Sequence, residues 1–408
     1  MWQKIKNVYH LMIAIFANIW FGFPSRKLIV VGVTGTDGKT TTVSLIYHIL
    51  KSSGIKASMI SSVGVVIDGK DYLLPFHVTT PSPFALQRFI KLAASRNNPR
   101  NGKKYLVLEV TSHALDQFRA FGTDFNTGVI TNVSHEHLDY HKTYKEYVQA
   151  KLKLLKMSQN AVVNKDDKSF RIIKPELKKE TGKIKRGITY GMNSSADINP
   201  GNFNFESKLL GDFNKYNILA AITVSRLLGI KDEKIKKAIS SFKTPSGRQE
   251  IIYNNSFKIM IDFAHTPNSF AEILSSIRGQ TKGRLVHVFG SAGERDKSKR
   301  PQMGKISFRY SDVMIITSED PRSEGFERIT GDILSGIKDA GKRLGNNIFK
   351  VADRQEAINK AVSMAKKNDL ILITGKAHEK SMNYGRGEEP WDEYRAVNKA
   401  LSLSNEKD

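Results

Sequence analysis

A β-branched run that ends in a glycine-rich turn and reopens as a helix leaves a chain few ways to fold, and residues 27–50 are such a segment. Lys27 to Val33 (KLIVVGV) reads as a short buried strand, Thr34-Gly35-Thr36-Asp37-Gly38-Lys39-Thr40-Thr41-Thr42 comes next, and Thr40 to Leu50 takes helical spacing. Strand, loop and helix in that order make a phosphate-binding βα unit. Backbone N–H groups and the positive helix end point at phosphate oxygens, Lys39 can reach the terminal phosphates, and Thr40 can ligate magnesium. ATP or GTP is the natural ligand. The spacing departs from G-x-x-x-x-G-K-[ST], because Val33 stands five residues before Gly38. A chance glycine turn explains the glycines but not Lys-Thr-Thr after a β-rich run.

The same alternation continues. Apolar runs at Tyr105 to Val110, Thr127 to Val133 and Ala161 to Asn164 alternate with helical stretches, the pattern of a mostly parallel sheet. Lys243-Thr244-Pro245-Ser246-Gly247 is the strongest linker signal, and beyond it Lys258 to Phe263, Leu285 to Phe289, Val313 to Thr317 and Leu370 to Thr374 alternate with helices again. The chain is therefore expected to be α/β: a lead-in with an apolar helix over 1–26, a P-loop central domain with a mostly parallel sheet over 27–244, and a smaller Rossmann-like α/β domain over 245–408.

Composition narrows the chemistry. The 408 residues hold no cysteine, which excludes disulfides, thiolate metal sites and a cysteine nucleophile and fits a cytoplasmic protein. Lys and Arg number 64 against 40 Asp and Glu, a formal charge of +24. These cations are spread along the chain, so a solvated basic surface is the plain reading, beside nucleic acid, anionic lipid or a polyanionic small substrate. Without an aromatic-rich RNA motif or a zinc finger, a P-loop nucleic-acid-binding protein is the weaker alternative, and no nucleic-acid partner is expected. Val8 to Phe23, behind Lys4 and Lys6, is interrupted by His10 and Asn18 and is shorter than the roughly 20 apolar residues of a spanning helix. It reads as a helix docked on the first domain or, second, as an interfacial helix that brings the enzyme to a membrane surface.

Further clusters carry chemistry. Leu108-Glu109-Val110-Thr111-Ser112-His113 is a strand ending in a carboxylate and hydroxyls, where ligands gather at the edge of an α/β sheet. Thr131 to His141 (TNVSHEHLDYH) places His135, His137 and His141 within seven residues, a zinc-like cluster that no thiolate supports. Gly290 to Pro301 (GSAGERDKSKRP) is a glycine turn followed by cations, suited to an anion. Lys151 reads by itself as an exposed helical lysine, and His265 as a satisfied turn histidine.

In this order the elements resemble those of the Mur ligases, ATP-dependent amide-forming enzymes of peptidoglycan synthesis, over roughly Ser25 to Leu401. The branch most similar is that of the UDP-N-acetylmuramoyl-tripeptide synthetases. The loop is similar to theirs, with Asp37 where Asn is usual. The resemblance implies a magnesium-binding Glu109 and a metal-binding His137, with Glu136 where Asp is usual. Tyr147 to Lys153 resembles the segment whose lysine is carbamylated, which makes Lys151 the candidate for holding a second magnesium, with Thr40 at the first. Gly211-Asp212-Phe213-Asn214-Lys215-Tyr216-Asn217 resembles G-x-[FH]-N-x-x-N and brings Asn217 to the adenine. Arg248, His265, Asp353 and Arg354 match elements that close over ATP. The catalytic candidates are thus Lys39, Lys151 and His265, and the nucleotide contacts Gly35, Thr36, Asp37, Gly38, Lys39, Thr40, Thr41, Asn217, Arg248, Asp353 and Arg354.

Glu319-Asp320-Pro321-Arg322 resembles D-N-P-R, whose arginine grips the distal carboxylate of meso-diaminopimelate, and Gly375-Lys376-Ala377-His378-Glu379 resembles G-K-G-H-E. The implied substrate contacts are Thr79, Thr80, Ser112, Arg119, Arg295, Asp320, Arg322, Gly375 and Glu379. The resemblance implies a ligase that adds a diamino acid, meso-diaminopimelate rather than L-lysine, to a muramoyl-dipeptide acceptor through an acyl phosphate. It would use ATP, two magnesium ions and a carbamylated lysine, work as a monomer, and close its second domain over the first. Tripeptide synthetases carry a UDP-binding domain in front, and only about 30 residues precede this loop. Recognition is therefore expected to rest on the muramoyl peptide. A similar ligase acting on a folate, cyanophycin or lipid-linked acceptor is the alternative.

Overall fold

The computed structural model describes residues 2–72, 79–95, 103–134, 136–177 and 183–405; His135 lies outside them. The chain separates into two compact units, Met1–Leu209 with Phe213–Lys243, and Leu210–Asp212 with Thr244–Asp408.

The first unit is built on β1 (Ile29–Thr34), β2 (Ala57–Ser61), β3 (Gly64–Ile67), β4 (Lys70–Tyr72), β5 (Tyr105–Glu109), β6 (Phe125–Ile130), β7 (Ser158–Asn164) and β8 (Arg186–Tyr190). They form one sheet in the order β4-β3-β2-β5-β1-β6-β7-β8, parallel except for the β2-β3-β4 meander at one edge. β1 is buried from Val30 to Thr34 and lies at the centre, as a strand covered on both faces requires. From β1 the chain passes to one side of the sheet, and from β5 to the other. The carboxyl ends of β1, β5 and β6 therefore border a topological switch point, where α/β sheets hold their ligands. The strand expected over Thr127 to Val133 ends at Ile130, and Thr131 to Val133 leave the sheet to cross this edge.

Helices α1 (Trp2–Phe21), α2 (Lys39–Ser52), α3 (Pro83–Ser95), α4 (Ser112–Asp116), α5 (Leu138–His141) and α6 (Tyr144–Met157) cover the sheet together with the helix Asp212–Leu227. Two strand glycines set how close α6 lies. A Cβ at Gly32 would stand 2.8 Å from Leu154, and one at Gly128 would stand 3.2 Å from Leu155. Their absence lets α6 settle onto β1 and β6, which carries Lys151 to the end of β1. Val8 to Phe21 of the expected helix belong to the longer α1, beyond which Gly22 and Phe23 turn the chain, and α1 docks on α3. Ala14 and Ala17 are buried in that contact, and Asn18 donates to the Phe121 carbonyl at 2.7 Å.

The second unit holds β9 (Glu250–Asn254), β10 (Lys258–Asp262), β11 (Leu285–Phe289), β12 (Val313–Ile316), β13 (Ile348–Lys350) and β14 (Leu370–Thr374) in the order β13-β12-β11-β14-β10-β9. Only β9 runs antiparallel. Apolar clusters fill both faces, one around Phe270, Leu274 and Met303, the other around Ile358, Ala361 and Val397. Gly290, Glu319 and Gly375 come after β11, β12 and β14 and share that edge, beside a hairpin of β15 (Ser381–Asn383) and β16 (Glu388–Pro390).

Candidate active site

The loop after β1 is held from beneath by the loop after β6. Thr36 N–H donates to the Asn132 carbonyl (2.9 Å), Asp37 N–H to Asn132 Oδ1 (3.0 Å), and Thr131 Oγ1 and Asn132 Nδ2 both donate to the Asp37 carbonyl (2.7 and 3.1 Å). Gly38 turns the chain into α2 with φ +79°, a conformation that favours glycine. A Cβ there would also meet Asn217 Oδ1 at 2.1 Å. Asn217 is buried against this loop and α2, accepting from Thr42 Oγ1 and donating to Asn214 Oδ1. Lys39 curls back to donate to the Thr36 carbonyl at 2.8 Å, which sets an ammonium over the loop at the helix N-terminus. Thr40 and Thr41 are buried in the first turn.

Glu109 ends β5 one register step beyond Gly32, opposite Val33, and is buried. Its carboxylate accepts from Thr40 Oγ1 (3.1 and 3.2 Å) and from the Ser62 N–H (3.0 Å), while Ser62 Oγ lies 2.9 Å from Thr40 Oγ1. Thr40 and Glu109, foreseen as magnesium ligands, thus share one hydrogen-bonded cluster. These are hard oxygen donors that suit Mg2+, which commonly takes one or two carboxylates and completes its shell with phosphate and water. Among the described residues no group of three or more His, Asp or Glu is set to hold a metal by itself. Ser62 was not foreseen; its only signal is its place just after β2.

Lys151 on α6 is fully buried, donates to the Gly35 carbonyl at 2.5 Å and lies 4.4 Å over the Tyr147 ring. Burial, reinforced by the Lys39 charge and opposed by Asp37 and Glu136, holds its ammonium well below the usual lysine range. The exposed helical lysine of the plain sequence reading is replaced by a lysine inclined to be a neutral amine. Tyr147 OH accepts from Thr36 Oγ1 at 3.2 Å and ties α6 to the loop. His137, in a left-handed turn (φ +57°), has its ring 4.8 Å from His113 and 6.0 Å from Tyr147. His141 Nε2 pairs with Ser112 Oγ at 3.0 Å, and burial with the neighbouring His113 lowers its pKa to about 4, so it stays neutral.

Several expected substrate contacts have local duties. The Thr80 hydroxyl donates to the Glu109 carbonyl and accepts from the Thr111 N–H, strapping the end of β5, while half-buried Thr79 precedes it. Arg119 donates to the Thr80 carbonyl and to Gln117 Oε1.

In the second unit, Lys376 is fully buried and pairs with Asp320 Oδ1 (2.9 Å) and Glu379 Oε2 (2.7 Å). Asp320 also accepts from the Asn383 N–H. Arg322, at φ +52°, donates to the Gly293 carbonyl at 2.5 Å. Gly375 has φ +104°, and a Cβ there would meet Glu319 Oε2 at 2.2 Å. Asp320, Arg322, Gly375 and Glu379 are thereby gathered at one sheet edge. Arg248 lies 4.6 Å over the Phe263 ring with Nη1 3.3 Å from His378 Nδ1, and His265 Nδ1 lies 2.8 Å from the Phe263 carbonyl, a turn contact.

Three further residues expected at ligands have these places in the fold. Arg354 is fully buried; it grips Glu393 through Nε (3.0 Å) and Nη2 (2.5 Å) and donates to the Ser318 and Thr374 carbonyls. Its guanidinium fastens the ends of β12 and β14 to the C-terminal helix. Asp353 caps the following helix by accepting from the Glu356 N–H. Arg295 is exposed, whereas Arg300 of the same basic stretch is buried on Glu324 and Asp332.

Residues 33–225 match the Mur ligase middle domain, and residues 247–377 match the glutamate ligase domain of Mur ligases. A UDP-N-acetylmuramoyl-L-alanyl-D-glutamate–2,6-diaminopimelate ligase of Clostridium acetobutylicum is 36% identical over 98% of this chain and 83% of its own length. The chain belongs to the Mur ligase family. Mur ligases are ATP-dependent, ADP-forming amide ligases, which gives the cations around the loop their use. A UDP-N-acetylmuramyl-tripeptide synthetase of Borreliella afzelii is 38% identical over 96% of this chain and 81% of its own length. A solved UDP-N-acetylmuramoyl-L-alanyl-D-glutamate–2,6-diaminopimelate ligase superposes with a TM-score of 0.60 at 27% identity, covering 93% of this chain and 79% of that one.

Proposed function

We propose that this Mur ligase joins a diamino acid, meso-diaminopimelate in preference to L-lysine, to a UDP-N-acetylmuramoyl-L-alanyl-D-glutamate acceptor. The observation that carries the reading is the pair Lys39 and Lys151: two amine-bearing side chains brought to one phosphate loop, each donating to a loop carbonyl. Of the two, Lys39 with the loop N–H groups supplies the charge that lowers the energy of an anion meeting a second anion, the difficulty when a carboxylate attacks ATP. The γ-phosphoryl passes to the acceptor's D-glutamate side-chain carboxylate, and ADP leaves. The amine adds to the acyl phosphate, and the tetrahedral intermediate expels phosphate as the amide forms.

Lys39 and the N–H groups of residues 35–40 hold the phosphates. Thr40, Glu109 and His137 would hold magnesium, which supplies charge neutralisation and orientation of the phosphates. Lys151, inclined to be neutral, suits carbamylation by carbon dioxide, which turns a cation into an additional carboxylate-like ligand. On the amine side Arg322 takes the distal carboxylate of diaminopimelate, Asp320 and Glu379 are oriented by Lys376, and Gly375 leaves room for the substrate backbone.

The test is amine-dependent ADP release with the UDP-muramoyl dipeptide and meso-diaminopimelate, L-lysine or neither. Diaminopimelate is expected to give the highest kcat/KM. Arg322→Ala is expected to cost roughly thirtyfold or more with diaminopimelate, as for an unpaired buried carboxylate, and far less with lysine. Equal losses with both would remove Arg322 from the specificity role. Turnover on a folate polyglutamate acceptor without turnover on the muramoyl dipeptide would overturn the assignment.

A further inference from the structure

Helix α1 presents two unlike faces. One is made of small or polar residues and docks on the first unit: Ala14 and Ala17 are buried, and Asn18 donates to the carbonyls of Ala14 (2.8 Å) and Phe121 (2.7 Å). The other should be the polar, solvated face of a surface helix, and it is apolar along its length. Val8, Met12, Ile15, Phe16, Ile19 and Trp20 recur at helical spacing and all face out, with Ile19 61% and Trp20 67% exposed. The Phe16 ring lies tilted beside Trp20 (5.9 Å) and Phe84 of α3 (5.8 Å), which extends the patch onto the neighbouring helix.

The segments that form the patch carry charge of one sign, and the acid that α1 meets, Asp116, accepts from Asn7 and is paired with Lys153. Residues 1–36 contain Lys4, Lys6, Arg26 and Lys27 and no Asp or Glu, and the described residues 79–95 contain Arg88 and Lys91 and again no acid. Arg88 is exposed one turn from Phe84, and Lys91 Nζ lies 5.7 Å from the Phe21 ring. Two copies meeting through this patch would press like charges together, in a chain of net charge +24. An anionic surface with an apolar interior complements both features. Among the described residues no helix is long and apolar enough to cross a membrane. A helix with this pattern lies in the interface, its apolar side among the upper acyl chains, tryptophan at headgroup level and cations on anionic headgroups.

We propose that α1, with the edge of α3, is an in-plane docking surface for an anionic lipid bilayer. The inference stands apart from the reading of the active site and survives or fails without it.

Full-length protein would be sedimented with vesicles of phosphatidylcholine alone and of phosphatidylcholine with about one third phosphatidylglycerol. Binding is expected on the anionic vesicles, falling as salt screens the cations, with a blue shift of tryptophan emission that Trp20→Phe reduces. The triple substitution Met12→Ser, Ile19→Ser, Trp20→Ser is expected to lower partitioning about tenfold or more. Arg88→Gln with Lys91→Gln, placed outside α1, is expected to lower it severalfold, with thermal melting unchanged. The proposal is overturned by absence of vesicle binding, by equal binding to neutral vesicles, or by binding that survives the triple substitution in folded protein. It is also overturned if vesicles are ignored while a concentration-dependent dimer forms and is lost in the triple variant, since the patch then belongs to a second copy.

Discussion

The two units treat the side-chain nitrogens of their lysines and arginines in opposite ways. In the first, Lys39 and the fully buried Lys151 end on main-chain carbonyls of their own phosphate loop, at Thr36 and Gly35. In the second, Arg300 is matched by Glu324 and Asp332, Arg354 by Glu393, and Lys376 by Asp320 and Glu379. A carbonyl is a weak partner for an ammonium, so Lys39 keeps most of its attraction for an arriving phosphate, while burial inclines Lys151 to be a neutral amine. A carboxylate satisfies its cation, and the arginines of the second unit therefore hold loops in place. The difference separates side-chain nitrogens that serve chemistry from those that serve architecture.

Paired substitutions break that comparison most sharply. Lys39→Ala is expected to lower amine-dependent ADP release about a thousandfold, the upper range for loss of a group facing transition-state charge, with urea unfolding essentially unchanged. Arg354→Ala is expected to do the reverse, costing about 3–5 kcal/mol of stability because Glu393 is left buried and uncompensated. If Lys39→Ala destabilises the protein as much as Arg354→Ala does, the division collapses.

A second test concerns the buried lysine itself. Lys151→Ala is expected to reduce turnover by a comparable factor and to regain part of it with short carboxylic acids that stand in for a carbamate. Intact mass with and without bicarbonate gives a readout independent of activity. Full activity of the alanine variant removes Lys151 from the chemistry.

The smallest effect lies in the second unit, where the pairing of charges is incomplete. Glu319 is buried, its Oε2 has no hydrogen-bond partner, and burial pushes its pKa up to about 7 against the pull of Lys299 and Arg354. Between about pH 4.5 and 7 the unfolded chain has released this proton while the folded chain keeps it. This carboxyl therefore stabilises the fold fully at the acid end and loses that contribution as pH rises through 7. Its full swing is on the order of 3 kcal/mol. Glu319→Gln is expected to remove it, so that the stability difference between variant and wild type grows in the variant's favour from pH 4.5 to 7.5. Parallel pH profiles would show that Glu319 is already ionised in the folded protein.

Much of this protein was legible in its sequence because the signals are local. A strand, a glycine turn and a helix N-terminus are contiguous at residues 27–50, and backbone geometry alone dictates what such a unit binds. Elements near Glu109, Asp320 and Gly375 were legible for the same reason, since each comes directly after a strand or ends one, and a parallel sheet delivers strand ends to one edge. What only the tertiary structure decided were the identities of partners far apart in the chain. Lys151 reads as a surface lysine until Gly32 and Gly128 let α6 close onto the sheet and seal it beneath the loop. Arg354 shows no partner in the sequence until the fold brings Glu393, 39 residues later, to its guanidinium. The helix spacing of α1 was readable, but which of its faces stays in water depended on the shape of the surface it met. Burial and pairing set what a charge can do, and both are properties of neighbours in space, which a sequence orders only along the chain.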